Sequence, residues 1–244
     1  MVYRSGTQIT QDDPIAYLPC KSVRMIGKRQ VIYNEEHPSH LLYLVIQGRV
    51  EITRTAGNGF RTVTGIIHAR GLFGESCLVE ANPCREAAEA TVDVIVMGWT
   101  REEVEERIQF EPRLGLALSR LLVSSGIELQ ERIAAMSLCK IPSRVMLALV
   151  QLANRLGTTT PDGFTRIPGI SQASLAEYIG TRRETVTSEM NRLRRGGSVR
   201  YTRQYIDIEP QRILHDLRRF GMAPSTMISI EQPQPGSQCS AVSQ

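Results

Sequence analysis

Arg182, Arg183 and Glu184 stand together in one short stretch, with Thr187 and Ser188 one helical turn further on. These side chains suit the edges of base pairs. An Arg guanidinium can donate two hydrogen bonds to guanine O6 and N7, a Glu carboxylate can accept from cytosine N4, and Thr and Ser hydroxyls can reach bases or phosphates. Arg192, Arg194, Arg195, Arg200 and Arg203 follow where a cation would meet phosphates and add affinity without sequence preference. From Thr181 to Phe220 ten Arg face five acidic residues, although the whole chain of 244 residues carries only +4. A basic end on a near-neutral body is the charge pattern of a polyanion binder. The bland alternative is a solvated basic face.

Those residues need a frame, and the stretch Ser171 to Leu193 predicts one. Ser171, with Gln172 beside it, caps a helix whose inward residues are Leu175, Ala176 and Ile179. Gly180 supplies a tight turn with positive φ. Thr181 is expected to cap the second helix, with Glu184 three residues later closing a capping box. Val186, Met190 and Leu193, at spacings of four and three, form its inward face. Two short helices joined by a glycine turn make a helix-turn-helix, whose second helix meets base edges with its N-terminal end. Ser171, Gln172 and Thr181 therefore join the arginines as candidate DNA contacts. Gly196-Gly197-Ser198 then opens a hairpin, Val199–Tyr201 against Tyr205–Ile208, predicted to be a wing with Arg200 and Arg203 near its tip.

Upstream, a helical stretch from about residue 111 to 136 carries Leu118, Leu122, Leu129, Ile133 and Met136 on one stripe, with Gly126 between. A single apolar stripe on a long helix favours pairing with a second copy; burial on its own domain is the alternative. Ile141-Pro142-Ser143 reads as a hinge, and Ser143 to Leu156 as a second amphipathic helix stopped by Gly157. Residues 21–100 read as short strands punctuated by glycine, with Ala56-Gly57-Asn58-Gly59 a hairpin turn. Thr100 and Glu103 form a capping box where helix takes over. Residues 1–20 read as an irregular arm.

With those elements in place, the chain resembles the Crp/Fnr superfamily of bacterial regulators over about residues 20–220. Arg183-Glu184-Thr185-Val186 carries the resemblance, as do Tyr43-Leu44-Val45-Ile46-Gln47-Gly48, Gly71-Leu72-Phe73-Gly74-Glu75-Ser76 and the long helix between the halves. It implies an α+β fold: an N-terminal cyclic-nucleotide-binding-like β-roll at 20–110, a dimerisation helix at 111–138, a C-terminal winged helix-turn-helix at 139–223, and a disordered tail at 224–244. It also implies base contacts from Arg183 and Glu184. Where the cyclic-AMP receptor branch has another base-reading Arg, this chain has Ser188, so its operator is expected to differ.

Effector residues follow the family pattern only in part. Gly74 and Glu75 match the ribose pair, with Ser76 beside them in the expected pocket, and Arg85 has the spacing of the phosphate-binding Arg, but Glu86 replaces the Ser that should follow. A carboxylate beside a phosphate costs roughly 1–4 kcal/mol. Leu129 and Gln130 replace the Thr-Ser pair that reads adenine. The expectation is a regulator without a cofactor, its pocket filled by an ion pair of Arg85 with Glu75 or Glu86. Cyclic-nucleotide control and thiol control through Cys77 and Cys84 are the alternatives.

Other classes find little support. Five cysteines lie far apart without a C-x-x-C pair, and no metal site is expected. An N-terminal iron–sulfur set would have only Cys20, and the four histidines (His37, His40, His68 and His215) read as surface or turn residues rather than haem ligands. There is no G-x-S-x-G, H-E-x-x-H or phosphate-cradling glycine loop, so an enzyme is not expected. A sensor module whose C-terminal half binds a protein is the other competitor. The expected partners are double-stranded DNA, a second copy of the chain and RNA polymerase. No membrane segment or secretion signal is read, and the expected location is the cytoplasm.

Overall fold

The computed structural model describes residues 13–57, 59–79, 85–202 and 204–220. Residues 1–12 of the expected arm, the expected tail, Cys84, Arg203 and Cys239 lie outside the described residues.

Eight strands build the N-terminal half: β1 (Arg24–Ile26), β2 (Val31–Tyr33), β3 (Leu41–Gln47), β4 (Arg49–Thr55), β5 (Arg61–His68), β6 (Leu72–Phe73), β7 (Ala87–Ala90) and β8 (Val94–Thr100). They form two antiparallel sheets, ordered β1-β8-β3-β6 and β2-β7-β4-β5. Between the sheets lie Val45, Val50, Val94 and Val96, with Tyr43 stacked on Phe73 at 4.9 Å. Strand β3 explains its own apolar run. Side chains alternate across a strand, so Tyr43 and Val45 point between the sheets while Leu42 and Leu44 point out onto Trp99, Val104, Leu114 and Leu118. Both faces are covered, and the alternation seen in a half-exposed strand disappears. Residues 13–20 are docked rather than loose: Leu18 is buried in that outer cluster, and the Trp99 indole N–H donates to the Pro19 carbonyl at 2.9 Å.

Thr100 caps α1 (Arg101–Phe110) through the expected capping box with Glu103. Helix α2 (Arg113–Leu138) follows without a break through Gly126; its 26 residues span about 39 Å. Only its first turns, through Leu114, Ala117 and Leu118, are buried on the barrel. Cys139 and Lys140 then join it to α3 (Ile141–Leu156). Pro142 is not the hinge itself. It occupies the first turn of α3, where its missing N–H has no helical partner to lose. Gly157 ends α3 by close approach rather than by positive φ, since a Cβ there would meet the Ala153 carbonyl oxygen at 2.3 Å.

The C-terminal half packs β9 (Thr158–Thr159), β10 (Thr165–Pro168), α4 (Gln172–Ile179), α5 (Arg183–Arg195), β11 (Val199–Tyr201), β12 (Tyr205–Ile208) and α6 (Pro210–Arg219) around α3. Its small sheet runs β11-β12-β10-β9. Its core joins Val145, Leu149 and Leu152 to Leu175, Val186, Met190 and Leu193, and takes in Val63 and Ile66 from β5. The two halves therefore share one apolar seam.

Candidate nucleic-acid interface

Helices α4 and α5 meet through Gly180, in the left-handed region at φ 68. The Ser171 hydroxyl caps α4 by accepting from the Ser174 amide at 2.9 Å. The expected cap of α5 is displaced by one residue. Thr181 N–H donates to the Ala176 carbonyl at 2.9 Å and so closes α4; Arg182, extended and without a side-chain cap bond, precedes α5. The first-turn amides of α5 thus have no side-chain cap, a setting that favours an anion.

Val186, Met190 and Leu193 are buried, while Arg182, Arg183, Glu184 and Ser188 on the opposite face are exposed. Thr187 is turned inward, donating to Gln172 Oε1 at 2.5 Å. Arg194 and Arg195 are exposed at the far end of α5. Arg192 instead pairs with Glu189 at 2.7 Å. Nor does Arg200 stand free beside the wing tip: its guanidinium pairs with Asp162 at 2.7 Å and covers the Phe164 ring at 3.9 Å.

The barrel contains a cavity of about 360 Å³ between β4–β6, α2 and α4. Of the residues expected to form an effector pocket, Glu75, Glu86 and Leu129 line it. Gly74, Ser76, Arg85 and Gln130 do not. Gly74 shapes the turn, at φ 81 and with no room for a Cβ against the Leu41 carbonyl. Gln130 is one residue further round α2, on the exposed side. The expected ion pair of Arg85 with Glu75 or Glu86 is absent among the described residues. Glu86 points inward and accepts from the Tyr33 hydroxyl at 3.0 Å, which leaves Arg85 exposed. Burial, reinforced by the Glu86 charge, holds the Glu75 carboxyl above the usual range. The pocket also has walls that the motif pattern missed: Phe73, Arg132, Arg155 and Tyr178.

Known proteins match both halves. Residues 23–109 match the cyclic nucleotide-binding domain family, and residues 143–217 match the Crp-like helix-turn-helix domain family. The chain belongs to the Crp/Fnr family. It is a DNA-binding transcription regulator of that type, and members of this family are regulators rather than enzymes. It is 26% identical over 159 residues to the CRP-like cAMP-activated global transcriptional regulator of Mycobacterium tuberculosis, covering 65% of this chain and 71% of the relative. It is 25% identical over 210 residues to the global nitrogen regulator of Synechocystis sp., covering 82% and 93%. The fold matches FixK2 from Bradyrhizobium japonicum with a TM-score of 0.69 at 22% identity, covering 80% and 96%. No helix among the described residues is long and apolar enough to cross a membrane.

In this Crp/Fnr chain the N-terminal barrel and the DNA-reading half are bolted together by arginines. Arg132 of α2 donates to the carbonyls of Thr64 at 2.8 Å, Val63 at 3.0 Å and Tyr178 at 3.2 Å, and lies 4.0 Å over the Tyr178 ring. Arg61 stands among Glu177 (3.4 Å), Glu89 (3.5 Å) and Glu51 (3.9 Å). Arg49 donates to the Gly169 carbonyl.

The expected dimer stripe is only partly available. Leu118 is 6% exposed beneath the barrel, and Met136 is turned onto Gly180 and the first turns of α3. Leu122, Leu129 and Ile133 are exposed, and Leu116, Val123, Ile127 and Leu138 widen the strip. Glu128, Glu131 and Arg132 all make their polar contacts inward, to Arg155, Gln151 and the seam carbonyls.

Two titrating groups give direct tests. Burial first, then the Glu75 charge, pushes the Cys77 thiol up to about 11. At pH 7.5 such a thiol is thiolate in roughly one molecule in 3,000, which disfavours the thiol-control reading at this position. Iodoacetamide is expected to label exposed Cys20 well before Cys77; equal rates by mass spectrometry would refute this. His68 on β5 has a buried Nε2 without a hydrogen-bond partner, and burial, with Arg49 and Arg155 nearby, lowers its pKa to about 4. The unfolded chain binds that proton near pH 6.5 and the folded chain only near 4. Stability is therefore lost as pH falls through that window, by up to about 3 kcal/mol. His68→Gln should flatten the melting-temperature slope between those pH values, and an unchanged slope would remove His68 from the account.

Proposed function

We propose that two copies of this regulator pair along the exposed strip of α2 and set their α5 helices into successive major grooves of a palindromic operator, about 34 Å apart. The observation that carries the reading is the face of α5: Arg182, Arg183, Glu184 and Ser188 exposed, with Val186, Met190 and Leu193 holding the helix from behind. RNA polymerase is the downstream partner, and the cytoplasm, where the DNA lies, is the place of action.

Cyclic AMP is not the effector in this reading. At the family position of the phosphate-binding cation, Arg85 is outside the pocket while Glu75 and Glu86 are inside, and of the arginines that do line it Arg132 is engaged by backbone carbonyls and Arg155 by Glu128. Sequencing of duplexes selected from a random pool by the full chain tests the whole reading. Recovery of a palindrome with and without cyclic AMP supports it, and a palindrome recovered only with cyclic AMP rejects the effector part. Arg183→Ala is expected to lose about 1–3 kcal/mol of discrimination between the selected site and scrambled DNA. Discrimination equal to wild type would remove Arg183 from readout.

A further inference from the structure

Among the described residues two carboxylates are buried, Glu51 on β4 and Asp207 on β12, each 4% exposed. Their surroundings differ. Asp207 takes both arms of the Arg166 guanidinium, at 2.7 and 2.8 Å, the geometry that offsets the cost of a buried charge. Glu51 meets no such fork. Its hydrogen bond comes from a neutral group, the Ser174 hydroxyl, which donates to Oε2 at 3.2 Å, and the Arg61 guanidinium stands off at 3.9 Å.

The cations around Glu51 are engaged elsewhere. On β4 itself, Arg49 donates to Thr91 Oγ1 at 2.7 Å and to the Gly169 carbonyl. Arg61 of β5 is shared with Glu177 of α4 at 3.4 Å and Glu89 of β7 at 3.5 Å. His68 of β5 lies across the strand pair from Arg49. Lys28 and Arg29, between β1 and β2, line the same cleft of about 730 Å³, and among the described residues they form no ion pair with these three carboxylates. Burial, with the Glu177 charge adding to it, holds the Glu51 carboxyl above the usual carboxylate range, against Ser174, Arg49 and Arg61.

Ser174 and Glu177 belong to α4, so the surroundings of Glu51 are complete only when the reading half lies on the barrel. A carboxyl desolvated by that contact binds a proton more tightly in the closed seam than in an open one. Its partner suits both charge states. The Ser174 hydroxyl lies 2.8 Å from Ser171 Oγ, and either oxygen can be the donor. With Glu51 charged, the Ser174 hydrogen points to Oε2. With Glu51 protonated, the new O–H donates to Ser174 Oγ, whose own hydrogen turns to Ser171 Oγ.

We propose that the seam is a proton-linked clasp, in which Glu51 takes a proton from solvent as α4 seats on the barrel and returns it on opening, so that falling pH closes the two halves together and rising pH loosens them. The sign follows from linkage. The closed form has the higher proton affinity, so closure gains as pH falls through its titration, and the gain ends where the open form titrates too. One proton limits the gain to about tenfold in the closing equilibrium per pH unit. His68 acts on the whole fold in the opposite sense, because its burial opposes protonation. The clasp does not depend on which DNA is read.

Amide exchange of the full chain, expressed as protection relative to the intrinsic rate at each pH, tests the clasp. In a His68→Gln background, protection of α4 over residues 172–179 should rise as pH falls from about 8 to 5, by up to about tenfold per unit. Glu51→Gln added to that background is neutral at every pH and still meets Ser174. It should give a flat profile that matches the acid-side protection of its parent. Ser174→Ala removes a donor to the charged form and should move the rise to higher pH, whereas a merely structural loss would lower protection equally at every pH. That second variant keeps the test decisive if Glu51→Gln does not fold. Flat protection in the parent, a rise that persists in Glu51→Gln, or protection that falls with falling pH would overturn the clasp and leave the DNA reading standing.

Discussion

Leu122→Asp is expected to halve the particle mass in solution and to weaken operator binding by about a thousandfold or more. Leu122 is 45% exposed in the single chain, midway along a strip with Val123, Ile127, Leu129 and Ile133. Burying a leucine side chain is worth about 1.5–3 kcal/mol, and a two-fold interface counts each substitution twice. The aspartate also brings a carboxylate from each subunit into an apolar seam. A loss of about 3–6 kcal/mol in association corresponds to roughly a hundred- to twenty-five-thousandfold in dissociation constant, and the buried carboxylates push the loss toward the upper end. A monomer then meets the operator with one reading helix instead of two. Light scattering and gel-shift titration read the two effects together. Ile133→Asp, at a position 64% exposed, should behave alike. Leu118→Asp should differ, because Leu118 is buried beneath the barrel; that variant is expected to unfold the N-terminal half rather than yield a folded monomer. An unchanged mass for both Leu122→Asp and Ile133→Asp would sink the pairing.

The contrast between Leu118 and Leu122 marks where the linear chain stops being informative. Helical period identifies the stripe, but which neighbour covers each turn depends on contacts far away in sequence. Leu118 meets Trp99 and Leu42, and Met136 meets Gly180, while between them Leu122, Val123, Ile127 and Ile133 stay exposed and Glu128, Glu131 and Arg132 on the inner side reach the rest of the chain. The reading helices were legible because their signal is local: a capping serine, a glycine at positive φ and apolar spacings of three and four. Even there the cap of α5 moved by one residue, because Thr181 N–H was needed to close α4. Strands β1, β2, β6, β7, β9 and β10 hold only two to four residues each, too few to display a period. The pocket was legible at Glu75 and Glu86 through their motif positions. Arg132 was missed because its acceptors are backbone carbonyls of Val63, Thr64 and Tyr178. A carbonyl belongs to every residue type and leaves no mark in the letters.

That missed arginine carries the second large expectation. Arg132→Ala should free the reading half from the barrel without unfolding either. One guanidinium satisfies three carbonyls on two elements and covers an aromatic ring. Removing it leaves acceptors in a partly buried seam at about 1–3 kcal/mol each where water cannot replace it, and forfeits a cation–π contact of roughly 0.5–2 kcal/mol. The Arg61 clamp is weaker. Arg61 reaches its carboxylates only at 3.4–3.9 Å and is 39% exposed, the range in which ion pairs contribute little. Loss of Arg132 should therefore appear as faster amide exchange in residues 172–179 of α4 and 61–68 of β5, and as two thermal transitions replacing one. Arg132→Lys should recover little, since an ammonium keeps the charge but not the planar fork that spans three acceptors. Arg61→Ala should change exchange far less than Arg132→Ala. Arg132 and Tyr178 are also walls of the 360 Å³ cavity, so anything that filled it would press on the latch directly. If exchange in α4 is the same in Arg132→Ala as in wild type, the seam is held by the shared apolar core of Val63, Ile66, Leu175 and Ile179 instead, and the arginine is only a passenger on it.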